Sequence, residues 1–465
     1  MDKNRLGIDE ENPEARPEAG DELRHALSAQ GVRYVYAQFT DIHGAAKGKL
    51  IPLACLDDIV SPGAGFSGPS IWGTGLPRNG PRSEYYGRAD LSTLQPMPWL
   101  PGYARVVLDG HVAGQPFDAC PRQVLRKQVA RLAAHGWTLN AGLEPEFFLL
   151  QKGVGGYDAE AADTLEKPSY DTKSLLRRRA FLDKLTTSLD QCGLGVFQID
   201  HEDATGQFEV NYKYADALKA ADNFMLFKMA AHHIAEEEGM LFSMMPKPFA
   251  DRPGSGLHFH LSLADAGGKP VFALDDGVEQ GGRDLGLSPL AYHFMAGLLR
   301  HAPALTALCA PTVNSYKRLM CGQSLSGTSW APAFIGYGDN NRTLVARVVY
   351  QRIEWRLPDS SANPYLALAG VIAAGLDGIE NKLEAADPVN QDVYDMSDAQ
   401  RAERGLKMLP QNLGEAVAAL TADTVLAAAL GEDIVKEFVA LKSAEWIEYS
   451  QHVSAWETRR YLDRF

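Results

Sequence analysis

Cysteine is scarce in this 465-residue chain: Cys55, Cys120, Cys192, Cys309 and Cys321 are scattered and no two form a CxxC pair. That spacing offers neither a thiolate metal centre nor a disulfide framework, and it fits a reducing compartment, so a cytoplasmic location is expected. Long apolar runs are missing too. None approaches the roughly 20 residues of a membrane-spanning helix, so no membrane partner is expected. The opening stretch MDKNRLGIDEENPEARPEAGDE lacks the apolar segment of a secretory signal. Residues 1–20 read as a disordered acidic lead-in. An excess of basic residues is also absent: 45 Lys and Arg face 59 Asp and Glu, a net charge of −14. That argues against nucleic acid as a partner. A solvated acidic surface accounts for most of these acids, but carboxylates gathered around metal ions would add to the same total. No internal repeat is visible.

What is present divides in two. Residues 21–115 mix a short helix (Asp21 to Gln30) with strand-like runs at Val32–Phe39 and Ala104–Leu108. Between these lies a Gly/Pro/Ser-rich stretch from Ser61 to Pro81, and a loop this long within a compact domain is more often functional than idle. From Cys120 onward the pattern changes. Pro121–His135 carries apolar residues at helical spacing and is followed by Gly136 as a stop signal; a strand is expected at Leu139–Leu150. Long helices are expected at Leu175–Cys192 and Ala215–Gly239, and the last hundred residues are mostly helical. Strands and helices alternate without a βαβ rhythm, so the chain is expected to be α+β, a small domain at 21–115 followed by a larger one at 116–465.

Four segments carry chemistry. In GLEPEFFLL (Gly142–Leu150) strand alternation points Glu144 and Glu146 the same way. Two carboxylates side by side repel unless a cation sits between them, so the pair marks either a metal site or a wet edge strand. HEDATGQFEV (His201–Val210) adds Glu202 and Glu209 on an extended segment broken by glycine. KPFADRPGSGLHFHLS (Lys247–Ser262) runs from a glycine-rich turn, suited to close approach of phosphate oxygens, into a strand where His258 and His260 share a face. In QRIEWRL (Gln351–Leu357), Arg352, Glu354 and Arg356 lie on one face. Upstream, NSYKR (Asn314–Arg318) and NNRTLVAR (Asn340–Arg347) supply further guanidinium forks, which match carboxylates and phosphates bidentately.

Together these segments resemble the glutamine synthetase superfamily. The likeness runs from about Val35 to Asp395, and KPxxxxPGSGxHxHxS fits the ATP-region motif of that family at every required position. The resemblance implies a small N-terminal β-grasp domain followed by a catalytic domain with a curved antiparallel sheet and helices. It implies a ligase that uses ATP and Mg²⁺ or Mn²⁺ to join an amine to the side-chain carboxyl of L-glutamate through γ-glutamyl phosphate. One metal is expected on Glu146, Glu202 and Glu209, and a second on Glu144, His258 and Glu354. Glutamate contacts match Arg318, Arg356 and the Gly254 backbone. Phosphate contacts match Arg342, Arg347 and Arg352, with His260 and Ser262 near the nucleotide. Arg342 and Glu202 match catalytic positions. Family members assemble as rings, usually a dodecamer of two hexamers with active sites shared between subunits.

Two departures bear on the amine. Ammonia-using members carry an aspartate in Phe-Asp-Gly-Ser-Ser, where this chain has Ser67, followed by Ser70. They also carry a flap glutamate before an Ala-Pro pair, where this chain has Trp330. Two carboxylates that would surround ammonium are replaced by a hydroxyl and a large apolar ring, which suits an amine carrying carbon. Trp330 resembles the aromatic residue of γ-glutamylmethylamide synthetases, so methylamine is the first expectation, with Tyr170 and Glu202 completing the amine site. An ammonia-using glutamine synthetase and a catalytically inactive family member are the alternatives. Pro253 replaces an asparagine that contacts glutamate. The segment around Tyr394 lacks the charged pair of the adenylylation site, so regulation there is not expected.

Overall fold

Alternating apolar residues build two sheets. The computed structural model describes residues 18–153, 155–274, 283–320 and 331–465. In the first sheet the strand order is Ala46–Pro52, Tyr34–Thr40, Tyr103–Val112, Glu84–Pro96, Ala64–Ser67. Tyr34–Thr40 and Tyr103–Val112 run parallel, and their other neighbours are antiparallel. Val35, Ala37, Ala104, Val106 and Leu108 are fully buried along one side of this β-grasp sheet, against Leu56 of the short helix Leu56–Val60.

The second sheet is larger. Its central strands follow the order Phe334–Asp339, Leu344–Val349, Arg352–Trp355, Leu257–Asp265, Trp137–Gly153, Gln207–Tyr212, Val196–His201. All these neighbours pair antiparallel except the first two, which are parallel. Leu139, Ala141, Leu143, Leu257, Phe259, Leu261, Ile353 and Trp355 turn inward and share one core with the helices Pro121–Ala134, Ala217–Glu237, Pro289–Cys309 and Pro364–Glu380. The alternate residues therefore form the other face, and that face holds the polar side chains. None of the described helices is by itself long and apolar enough to cross a membrane.

A buried arginine fastens the β-grasp sheet to the helices of the larger part of the chain. Arg122 contacts Asp90 and Asp109 of the β-grasp sheet at 2.9 and 2.8 Å, and Asp222 of helix Ala217–Glu237 at 2.8 Å. Tyr365 Oη also donates to Asp222, at 2.7 Å. Arg126 adds a second cation to Asp90 and Asp109, at 2.5 and 2.9 Å, so the three acids are shared between two guanidinium groups.

Element ends differ from expectation where caps decide them. The first helix begins at Glu18, inside the stretch read as disordered; residues 1–17 lie outside the described residues. The helix expected over Leu175–Cys192 is two, Thr172–Arg177 and Arg179–Gln191. Asp171 caps the first through the amides of Lys173 and Ser174, and Arg178 leaves the helical region between them. The next helix starts at Ala217 because Asp216 caps it, while Ala215 and Asp216 pair with the long strand.

His301 offers a check on the helical layer. Its Nδ1 lies 2.6 Å from Asp423 and its Nε2 3.0 Å from Asp377, so only the imidazolium donates to both. Burial alone would lower its pKa, but the two carboxylates outweigh burial and raise it. A raised folded value stabilises the protein fully below the unfolded value of about 6.5 and loses that contribution as pH rises through the folded value. The wild-type unfolding midpoint should therefore fall above about pH 6.5 relative to that of His301→Gln, measured by thermal unfolding across pH. Parallel pH profiles for the two proteins would refute this.

Candidate active site

Strand register assembles the polar face. His258 pairs opposite Glu144, His260 opposite Glu354, Glu354 opposite Arg347, and Glu209 opposite Glu146. Residues distant in sequence thus become neighbours because directly opposed side chains on one face lie about 5 Å apart.

Two sub-clusters result. In the first, Glu354 is almost wholly buried (1% exposed) and receives Arg347 Nη1 and Arg356 Nη1 at 2.5 Å each. Burial would raise its pKa, but Arg356, the two histidines and Arg347 hold it down to about 2. His258 Nδ1 stands 3.6 Å from Glu144 and 3.7 Å from Glu354, wider than hydrogen bonds, as when ligands converge on an ion between them. Glu144 is also held well below the usual carboxylate range: burial opposes this, but the His258 and His260 contacts prevail.

His260 differs from expectation. Its Nε2 is the nitrogen nearest Glu144, at 2.7 Å, and Glu144, His260 and Glu354 offer ligand atoms within 4.8 Å of one another. Arg352 Nε donates to His260 Nδ1 at 2.9 Å, so the neutral ring carries its proton on Nε2, which lacks an aligned hydrogen-bond partner. A proton at that position prevents metal ligation, which leaves His258 as the better imidazole ligand of the pair.

The second sub-cluster is Glu146, Glu202 and Glu209. Gly256 N and Gln207 Nε2 donate to Glu146 at 2.9 and 3.0 Å, and Asn211 Nδ2 donates to Glu209 at 2.8 Å. Among the described residues no Lys, Arg or His forms an ion pair with any of these three acids. Burial, then the charge of Glu146, pushes Glu202 well above the carboxylate range. Burial, then the charges of Glu144, Glu202 and Glu146, does the same to Glu209. Acids raised by crowding are an incomplete electrostatic arrangement. A hard divalent cation bound by carboxylate oxygens completes it, so this donor set fits the expected metals.

The other expected residues divide between near and far. Arg318 is half-buried, with Glu146 and Arg356 acting on its charge; its Nη1 and Nη2 donate to the carbonyls of Leu357 and Arg356 at 3.0 Å each. Arg356 Nε is buried without a partner. Gly254 O accepts from Gln207 at 3.1 Å. Ser262 continues the face of His258 and His260, opposite Asn140. Exposed Arg342 sits in the turn before Leu344–Val349 and acts electrostatically on Tyr170, as does Glu202. Tyr170 is 73% exposed, has φ +64° and donates its N–H to the His201 carbonyl at 2.8 Å. Ser67 ends the β-grasp edge strand Ala64–Ser67 and Ser70 lies in the 3-10 turn Gly68–Ser70 after it, where Ser70 Oγ donates to Ser67 Oγ at 3.1 Å; among the described residues nothing links them to the carboxylates. Trp330 lies outside the described residues.

Supporting residues were not singled out from sequence. Gln207 ties Glu146 to the Gly254 loop. Ser360 Oγ donates to the carbonyls of Glu146 and Gly256 at 2.8 and 2.9 Å. Buried Asp163 accepts from Gly206 N at 2.6 Å and meets His201 Nε2 at 2.9 Å, anchoring the turn that presents Glu202. Gln207 stands in a quoted motif, but Asp163 comes from an unpatterned loop and leaves no sequence signal.

The glutamine synthetase catalytic-domain model matches residues 118–461. The chain belongs to the glutamine synthetase family. A glutamate–methylamine ligase of Methyloversatilis universalis is 51% identical over 445 residues, covering 96% of this chain and 99% of that protein. A glutamine synthetase of Rhizobium meliloti is 37% identical over 435 residues, 93% of this chain and 97% of that one. The solved GmaS/ADP complex in its first conformation superposes with a TM-score of 0.87 at 40% identity, covering 95% of this chain and 99% of that chain. As in other glutamine synthetase family members, the catalytic domain follows a β-grasp domain.

Gly256 lies where the two sub-clusters meet. A Cβ there would stand 2.9 Å from Glu146 Oε1, 2.9 Å from His258 Nε2 and 3.0 Å from Arg318 Nη2. Its backbone tolerates alanine, but those three groups would have to move. Gly256→Ala should fold with nearly unchanged melting temperature and lose about 100-fold in ATP-dependent phosphate release, as small misplacements of catalytic groups do. Activity within a few fold of wild type would contradict the placement.

Proposed function

We propose that this chain is an ATP-dependent ligase that joins L-glutamate to methylamine, forming γ-glutamylmethylamide in the cytoplasm. The observation that carries this is the charge-incomplete triad Glu146, Glu202 and Glu209, set in a chain similar over nearly its whole length to a glutamate–methylamine ligase.

Glu146, Glu202 and Glu209 would hold one Mg²⁺ or Mn²⁺, and Glu144, His258 and Glu354 another. Such ions, when bound, neutralise charge on phosphate oxygens. Arg318, Arg356 and the Gly254 backbone orient glutamate, with Arg356 Nε a donor not yet engaged. The glutamate side-chain oxygen attacks the terminal phosphorus of ATP, the bond to ADP breaks, and γ-glutamyl phosphate forms. Arg342, Arg347 and Arg352 offset charge on the phosphoryl group as it moves, with His260 and Ser262 beside the nucleotide. Methylammonium gives up a proton to Glu202, at the Tyr170 side of the site, and the neutral amine attacks the γ-carbon, its second proton leaving with the phosphate. The carbon–oxygen bond breaks and phosphate leaves with the electron pair. Water must be excluded throughout, or the acyl phosphate hydrolyses.

Among the described residues Ser67 and Ser70 make no link to the carboxylates of their own chain. That supports a reading in which the domain at 21–115 serves the catalytic domain, 116–465, of a neighbour. Two hexameric rings with shared sites would give the dodecamer. A second reading, an ammonia-using glutamine synthetase, rests on the 37% identical relative.

Three measurements decide among these. Glu146→Ala and Glu354→Ala should abolish phosphate release while light scattering shows the assembly unchanged; near-normal turnover in either refutes the metal assignment. Dilution to monomers should abolish activity. For the amine, kcat/KM should favour methylamine over ammonia by roughly 10–200-fold, the range for one methyl group in a shaped pocket. Ser67→Asp with Trp330→Glu should move the ratio toward ammonia. Ammonia used at least as well as methylamine by the wild type would establish the second reading.

A further inference from the structure

Behind the active site lies a cleft of about 520 Å³ that the reaction does not use. It opens between the His43–Ala45 loop of the β-grasp domain and the helices Ala217–Glu237 and Glu432–Gln451. Its volume falls within the range of small-molecule sites. Ile42, Leu308 and Phe438 give it buried apolar walls.

Its polar lining sets two lysines, Lys228 and Lys442, and one acid, Glu445, among neutral side chains. Lys228 reaches in from helix Ala217–Glu237 with its Nζ 3.3 Å from Gly44 O, and it forms no ion pair among the described residues. Burial pushes its pKa down to about 8, with only Asp41 acting against that. His43 and His232 face the same space. The acids nearby are already engaged. Asp41 Oδ1 accepts from the amides of His43 and Ala45 at 3.0 Å each. Glu445 takes Lys442 Nζ at 2.9 Å and Val313 N at 3.1 Å. Lys228 is thus a cation with donors left over, held in a half-apolar cleft. An occupant carrying one negative charge and an apolar body would complete it.

The floor of the cleft is the back of the site. Ser360, which lines it, holds the Glu146 and Gly256 carbonyls. Pro246 lines it too, and its carbonyl accepts Ser255 N at 2.8 Å. Asn314, four residues before Arg318, exchanges hydrogen bonds with Lys247 at 2.8 and 3.0 Å.

We propose that this cleft is an effector site for a small organic carboxylate with an apolar body, paired with Lys228, and that its occupancy alters glutamate affinity through the Pro246–Gly256 segment. The coupling rests on reading Arg318 and Gly254 as glutamate contacts; the binding does not.

Calorimetric titration of the full chain, with glutamate and ADP saturating so that the amino-acid site is filled, tests the binding. The probes are 4-methyl-2-oxopentanoate, its uncharged amide, and 2-oxoglutarate. The first should bind once per subunit with a dissociation constant on the order of 1 mM. The amide should not bind. Lys228→Met, which keeps the stem, and Met245→Trp, which fills the mouth, should each weaken binding about tenfold or more while melting temperatures stay near wild type. If neither acid binds, or if both variants bind as the wild type does, the site is refuted. The KM for glutamate should shift about fivefold or more with the first acid in the wild type and stay fixed in Lys228→Met. Lost binding with an unmoved KM would overturn the coupling and leave the site. Turnover unaffected by Glu146→Ala would overturn the ligase reading without touching the binding result.

Discussion

The packing of carboxylates in the centre of the large sheet is the constraint on which the rest depends. Glu146, Glu209 and Glu354 are buried within one strand neighbourhood, with Glu144 and Glu202 beside them. Like charges this close cannot all ionise without compensation. The protein itself attends to two of the five: Arg347 and Arg356 pair with Glu354, and the imidazoles of His258 and His260 stand beside Glu144. The other three, Glu146, Glu202 and Glu209, receive neutral donors from Gly256, Gln207, Asp203 and Asn211. That asymmetry fits the uncompensated acids to the divalent cation proposed for them.

Rigidity behind the acids follows from the same constraint. Repelling groups stay together only if the backbone beneath them cannot spread. The apolar face of the central strands is fully buried against four helices, and Ser360, Gln207 and Asp163 pin the loops that carry Glu146, Gly254 and Glu202. Arg122 extends this to the β-grasp sheet by holding Asp90, Asp109 and Asp222 together. The β-grasp sheet is therefore held fast to the catalytic domain, consistent with presenting Ser67 and Ser70 to another subunit rather than to its own site.

The cleft around Lys228 shows the opposite situation. There the group left without an ion-pair partner among the described residues is a cation, Lys228, while Glu445 is paired with Lys442 and Asp41 accepts from backbone amides. Two sites of opposite electrostatic deficit share one wall of loops. An occupant of one therefore alters the free energy of loops that the other uses, and such linkage is reciprocal.

The sequence alone determined the alternation that puts Glu144 with Glu146 and His258 with His260, since period-two geometry is local. It determined the α+β class, the two-part organisation and, through the ordered motifs, the family. Helix ends were legible only to within a few residues, because Asp171 and Asp216 cap by side-chain contacts that periodicity does not report. Tertiary structure alone decided which faces meet. The antiparallel register sets Glu144 against His258 and Glu354 against His260, and Arg352 fixes the His260 proton so that the two histidines, equivalent in sequence, take different parts. Asp163, Ser360 and Lys228 act through neighbours far away along the chain. Their roles come from long-range packing, which no local pattern encodes.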